Sequence, residues 1–280
     1  MPTRNLLSPD FRRVSILLFC IVLFCASVVV NGAQKESSSN SLELTEVQRK
    51  ALDKFREQMM PNLEQDYMKD DFFLMHWLEA KEWKVGEAET MLMKSLQWRK
   101  QNRMDNIQEE NWTDMMREYP YQIDTFDKQG RPVGTLSASK WDIRRAVSQG
   151  RVPRLQRYMY KMLDELNDKL YQVRSNGTKN ATQWSAIVNA DGFGLFKHAC
   201  PACVPVWVNF VNSASDHYPG FVESISLINV PRPLVRILRP IFSTDSLKIF
   251  GSDKGAWMKY LDDKIDKEQR RPEFGGTRAN

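Results

Sequence analysis

From residue 45 onward the apolar positions repeat first with a helical period and then with the patterns of strands, and this change divides the chain. "TEVQRKALDKFREQM" sets Val47, Ala51, Phe55 and Met59 on one helical stripe, opened by a capping box from Thr45 to Gln48. "DDFFLMHWLEAKEW" predicts a short helix with Leu74, Trp77 and Leu78 on a shared face. "KVGEAETMLMKSLQWRKQN" predicts a third, with Ala88, Met91, Leu92 and Leu96 aligned. No strand pattern interrupts them, so residues 45–110 read as an N-terminal helical subdomain.

The texture then changes. "YQIDTFDKQGRPVGTL" predicts two strands around a turn at Asp127-Lys128-Gln129-Gly130. "VPRLQRYMYKMLDELNDKLYQ" predicts a strongly amphipathic helix with Leu155, Met159, Met162, Leu166 and Leu170 facing one way. The β-type runs "QWSAIVNAD" and "SISLINV" flank a helix, "PVWVNFVNSASDHY", with Val206, Phe210, Val211 and Ala214 inward. Strand–helix–strand order predicts an α/β (α+β) layer with at least partly parallel pairing. No internal repeat is visible.

The first residues stand outside this scheme. Arg4, Arg12 and Arg13 precede the uncharged run "VSILLFCIVLFCASVVV", and small residues follow at Gly32 and Ala33. A basic start, an apolar centre and a small-residue exit read as a signal peptide over residues 1–33. The competing reading is an uncleaved anchor over residues 14–30, since a spanning helix needs roughly 17–25 residues. Both orient the body to the lumen or the outside, because flanking arginines stay cytoplasmic. A polar linker, residues 34–44, comes next. Three sequons, at Asn111, Asn176 and Asn180, are glycosylation candidates on such a route.

The chain has 280 residues, 42% hydrophobic and 27% charged, which is ordinary globular composition. Its net charge of +5 is spread out, and no basic block or basic-aromatic repeat suggests nucleic acid. Enzyme motifs are missing: there is no G-x-S-x-G elbow and no H-E-x-x-H, and "DGFG" does not complete a dinucleotide fingerprint. His76, His198 and His217 share no metal spacing.

One motif does suggest chemistry. In "KHACPACVPVW" Cys200 and Cys203 form a C-x-x-C pair, while Cys20 and Cys25 belong to the N-terminal run. At a helix start this pair is a thiol-disulfide oxidoreductase centre, part of a metal site with His198, or a local disulfide. Against a thioredoxin-like site, no aromatic residue precedes Cys200 and about nine residues separate it from the strand. Against a metal, no fourth ligand is evident.

Five stretches in order resemble the CRAL-TRIO lipid-binding family: "DDFFLMHWLEAKEWKVGEAETMLMKSLQWRKQNRMDNI", "YPYQIDTFDKQGRPV", "IVNADGFGLFKHACPA", "DHYPGFVESISLINVPRPLVRILRPIF" and "RPEFGGT". The resemblance is greatest to animal members similar to the yeast phosphatidylinositol-transfer protein. It implies a lipid-binding domain over residues 111–277 whose mixed sheet, flanked by helices, floors an apolar lipid pocket. It also implies a mobile amphipathic gate, here "PRPLVRILRPIF". On that segment Leu234, Val235, Leu238, Ile241 and Phe242 are the gate residues, and Arg232, Arg236 and Arg239 form a stripe facing the membrane. A phospholipid or other lipid is then the only bound group, with no cofactor, metal or catalysis, and the partners are the lipid and a transient membrane surface. The expected chain is a secreted or lumenal monomer that carries or presents the lipid. A lipid-sensing module that relays to a protein partner is the alternative.

Phosphoinositide-binding members carry two basic positions, matched here by Lys81 and Lys248, and a threonine, replaced by Ser246 or Asp245. Their glutamate after Tyr-Pro is Gly220 here, and the strand expected after "KIF" is interrupted by "GSDKG". In other members the "KH…PA" stretch lacks cysteines, so within this family Cys200 and Cys203 imply a local staple.

Overall fold

The computed structural model of the chain describes residues 44–178, 180–198, 200–238 and 246–279. The predicted leader (1–33) and nearly all of the linker therefore lie outside the described residues. Three helices come first: α1 (Glu46–Met59), α2 (Asp71–Ala80) and α3 (Val85–Gln101). The capping box at Thr45 is present, and Asp70 caps α2 by accepting the Phe72 N–H at 2.8 Å. On α1 the buried side chains are Leu52, Phe55 and Met59, whereas Val47 is 77% exposed. The buried stripe is rotated from the predicted one because Leu52, which the helical period allows equally well, meets the core instead. All of Phe72–Leu78 is buried, so α2 is enclosed on every side rather than on one face.

A short helix α4 (Thr113–Glu118) leads to strand β1 (Tyr121–Phe126). Strand β2 (Pro132–Ser137) pairs with it antiparallel, around the turn where Asp127 accepts from the Gln129 and Arg131 amides and Gly130 takes φ +76°. Helices α5 (Ile143–Ser148) and α6 (Val152–Ser175) follow, then β3 (Trp184–Asn189), α7 (Leu195–His198) and α8 (Val204–His217). Strand β4 (Val222–Ile228), α9 (Arg232–Leu238), β5 (Leu247–Ile249) and α10 (Lys254–Lys264) complete the order. The sheet runs β1-β2-β3-β4-β5, parallel from β2 to β5. This is the mixed α/β architecture that the strand–helix–strand order predicts. β5 is three residues long and closes one edge before Gly251, with Asp253 then capping α10.

Leu155, Met159, Met162, Leu166 and Leu170 of α6 are all buried, as the periodicity predicts. One sheet face carries Val133, Ile187 and Ile228 against Trp257 and Leu261 of α10. The helical segment has no core of its own. Leu52, Phe55, Trp77 and Leu92 share one cluster with Leu163, Leu166, Leu170, Trp184, Tyr218 and Phe221. That shared core is pinned by a buried polar group. Arg99 of α3 donates to Asp164 of α6 at 2.7 Å, and the Tyr218 hydroxyl donates to the same carboxylate at 3.0 Å. Burial opposes the Arg99 charge, but Asp164 outweighs it and raises the arginine pKa.

Candidate functional site

The other sheet face does not close on its helices. Gly134 and Leu136 of β2, Ala186 and Val188 of β3, and Ile225 and Leu227 of β4 occupy alternate positions that the registers place side by side. Met159 and Met162 of α6 and Phe210, Val211 and Ala214 of α8 stand over them. Between these walls lies a cavity of about 550 Å³, well inside the roughly 300–1,000 Å³ usual for small-molecule sites. Phe210, Val211 and Ala214 of α8 are half-buried because they face this space, whereas Val206, also predicted inward, is buried away from it. Leu247 and Ile249 of β5 and Leu234 of α9 add to the lining.

Charge enters at one end. Among the described residues that line the cavity, Lys81, which follows α2, and Asp216, in the last turn of α8, are the only charged ones. Burial raises the Asp216 pKa, while Lys81 and Lys94 oppose that rise. Gly220 stands nearby at φ +75°, a conformation that L side chains rarely adopt. A Cβ there would come 2.7 Å from His76 Nδ1. His76 is itself packed between Phe72 and Phe221, with ring centroids 4.7 and 4.2 Å away, and burial drives its pKa down to about 3. A glutamate at position 220 therefore has no room while His76 is in place.

The predicted ligand residues divide. Lys81 and Ser246 line the cavity. Lys248 does not, because it alternates on β5 with Leu247 and Ile249, opposite Ser226. On the predicted gate, Leu234 is buried, Val235 half-buried, and Arg232 and Arg236 exposed on α9. Arg239, Ile241 and Phe242, the side chain of Leu238, and Asp245 lie outside the described residues. Asn111, Asn176 and Asn180 are exposed.

Cys200 and Cys203 are joined as a disulfide, with Cα atoms 4.9 Å apart. Cys203 is fully buried, in a cluster with Trp141, Met159 and Val206, directly before α8. The pairing occupies both sulfurs, so neither is a thiolate ligand for a metal. Among the described residues no group of three His, Cys, Asp or Glu side chains is arranged to hold an ion. No described helix is long and apolar enough to cross a membrane.

Two features were not predicted. Phe196 of α7 is 71% exposed, with the Arg144 guanidinium 3.5 Å above its ring, while Phe193 and His198 on either side line the cavity. A single exposed aromatic in a short helix has no periodic signal to betray it. The second is a much smaller cavity, about 20 Å³, between α3, α6 and α8, lined by Arg99, Asp164, Asp168 and His217 among others. Burial, with the Asp164 charge added to it, raises Asp168 to about 7. The native state thus holds a proton on Asp168 that the unfolded chain releases near pH 4. This proton's contribution to stability is full below pH 4 and is lost as pH rises to 7. Asp168→Asn should therefore leave the Tm unchanged near pH 4 and raise it increasingly up to pH 7, with a constant gain above. Thermal melts across that range check this, and a uniform or inverted effect contradicts it.

Comparison with known proteins places these observations. The profile described as "CRAL/TRIO domain" matches residues 116–276. A curated relative, "Protein real-time" of Drosophila pseudoobscura pseudoobscura, is 24% identical over 205 residues, covering 69% of this chain and 30% of its own length. "Patellin-4" of Arabidopsis thaliana is 27% identical over 164 residues, covering 58% of this chain and 28% of its own. The chain thus spans less than a third of these relatives. The solved structure "Crystal structure of Sfh5" superposes with a TM-score of 0.62 at 11% identity, over 85% of this chain and 89% of that one.

Proposed function

Because the chain belongs to the CRAL/TRIO family, whose members bind lipophilic molecules, we propose that it holds one lipid in the cavity under α6 and α8 and exchanges it at a membrane surface. The observation that carries this reading is the apolar cavity itself. Each CH₂ exposed to water costs about 0.8 kcal/mol. A lipid leaves a bilayer readily only if an equivalent apolar lining receives it, and no bond need be made or broken. α9 supports a gate role, since Leu234 covers the cavity while Arg232 and Arg236 point to solvent, suited to anionic headgroups.

Exposed Phe196, with Arg144 over its ring and beside the cavity-lining Phe193 and His198, is a second candidate membrane contact. Phe196→Ala should weaken association with anionic vesicles several-fold, as expected when one interfacial aromatic is lost, and leave the melting temperature unchanged. Vesicle co-sedimentation checks it, and equal binding by both proteins removes Phe196 from the membrane face. Lys81 and Ser246 remain candidate headgroup contacts. Gly220 and the position of Lys248 argue for a headgroup other than phosphoinositide. Transfer of pyrene-labelled phospholipid between vesicles tests the whole reading. Exchange accelerated in proportion to protein supports a carrier, whereas binding without exchange supports the sensing module.

The Cys200–Cys203 disulfide fits the role of a staple at the start of α8, in a secreted or lumenal protein. Closing so short a loop stabilises by about 2 kcal/mol on chain-entropy grounds. Cys200→Ser with Cys203→Ser should lower stability by about that much in denaturant unfolding. Insulin-reducing activity lost with the cysteines would instead mark a redox centre. The exposed Asn111, Asn176 and Asn180 are the expected glycan sites on that route.

A further inference from the structure

The charged end of the cavity combines groups of opposite sign. Lys81 is half-buried and Asp216 exposed, so both stand at its mouth and keep contact with water. They sense each other, because Lys81 and the exposed Lys94 of α3 hold down an Asp216 pKa that burial raises. Yet among the described residues no ion pair or hydrogen bond takes either side chain. Ser246 lines the cavity toward this same end, since β5 runs parallel to β4 and β4 begins two residues after Gly220.

A lone cation at the mouth would suit any anionic headgroup. The carboxylate beside it changes the selection. A headgroup with net negative charge gains at Lys81 and loses at Asp216, whereas a zwitterion gains at both. An ammonium next to Asp216 also restores the charge that burial opposes.

The surroundings narrow the kind of ammonium. Quaternary ammonium groups are held by cages of aromatic faces. The neighbours of the two charges in the lining, Ala80, Ser215, Pro219 and Gly220, carry no ring. Tyr218 is buried and packs edge-on against Trp98, with its hydroxyl committed to Asp164 at 3.0 Å. A primary ammonium needs no cage, because its N–H groups donate charge-assisted hydrogen bonds to a carboxylate.

Resting on the lipid-binding reading, we infer that the mouth selects a phospholipid with a phosphoethanolamine headgroup, its phosphate toward Lys81 and Ser246 and its primary ammonium toward Asp216. Asp216 is then the specificity-determining residue, and Lys81 serves any phosphate.

The test incubates the full chain with vesicles of phosphatidylethanolamine, phosphatidylcholine, phosphatidylserine and phosphatidylglycerol in equal amounts and with identical acyl chains. Lipid recovered with the protein is counted by mass spectrometry. The ethanolamine lipid should be enriched about fivefold over each of the others, the factor one partly exposed charge pair confers. Phosphatidylserine is the demanding control, since it offers the same ammonium but adds a carboxylate that meets Asp216. Asp216→Asn should erase the preference at an unchanged melting temperature, and Asp216→Lys should turn it toward phosphatidylglycerol. Lys81→Met should lower uptake of all four. Equal uptake of the four lipids, or an ethanolamine preference undiminished in Asp216→Asn, overturns the inference and leaves the lipid-binding reading standing. If none of the four is taken up while a fluorescent sterol still binds, the inference again falls alone. If nothing binds, both fall.

Discussion

Ala186→Trp should leave the chain folded and abolish most of its lipid binding. Ala186 sits on the central strand β3 with its side chain toward the cavity, and it is half-buried only because that space is open. A tryptophan there fills existing room and does not overpack a closed core, so the 1–3 kcal/mol usual for overpacking need not arise. What it displaces is ligand. Each excluded CH₂ forfeits about 0.8 kcal/mol, so excluding three lowers affinity on the order of 50-fold. Titration with a fluorescent lipid measures this, with a melt alongside to show an intact fold. Unchanged affinity in a folded variant moves the ligand elsewhere.

The largest effect on stability is expected at the Arg99–Asp164 pair. Replacing Arg99 by Met leaves Asp164 buried without its counter-charge, a change that typically costs 3–5 kcal/mol. The Tm should fall by about 10 °C for a chain of this size. Adding Asp164→Leu should recover much of the loss, since the uncompensated carboxylate is then gone. The pair joins α3 to α6 and, through Tyr218, to the end of α8. The single variant should therefore loosen the helical segment from the α/β layer, read as amide exchange in α1–α3. Stability within 1 kcal/mol of the parent contradicts this account of how the two parts are held.

How far the sequence told this in advance varies by residue. α6 was legible because five apolar residues at helical spacing leave one face to bury, and all five are buried. The turn at Asp127–Gly130 was legible because its chemistry is local. α1 was legible as a helix but not in its orientation, since both Val47 and Leu52 satisfy the period and only tertiary contact chooses between them. The expected apolar pocket is present in outline, and half-buried Phe210, Val211 and Ala214 are its mark on α8. Its polar ends were not legible. Lys248 looked equivalent to Lys81 until strand alternation turned it away from the cavity. The exclusion of a side chain at Gly220 depends on His76, more than 140 residues distant. His198 drew attention only as a neighbour of two cysteines.

The central claim is that the cavity holds one lipophilic molecule. Native mass spectrometry of the purified chain after incubation with mixed natural lipid vesicles, followed by extraction, tests it most directly. The account predicts a single adduct per chain of lipid mass, recovered intact in the extract and missing from Ala186→Trp. A folded chain that shows only its own mass after every lipid exposure, or an adduct that persists undiminished in Ala186→Trp, contradicts it.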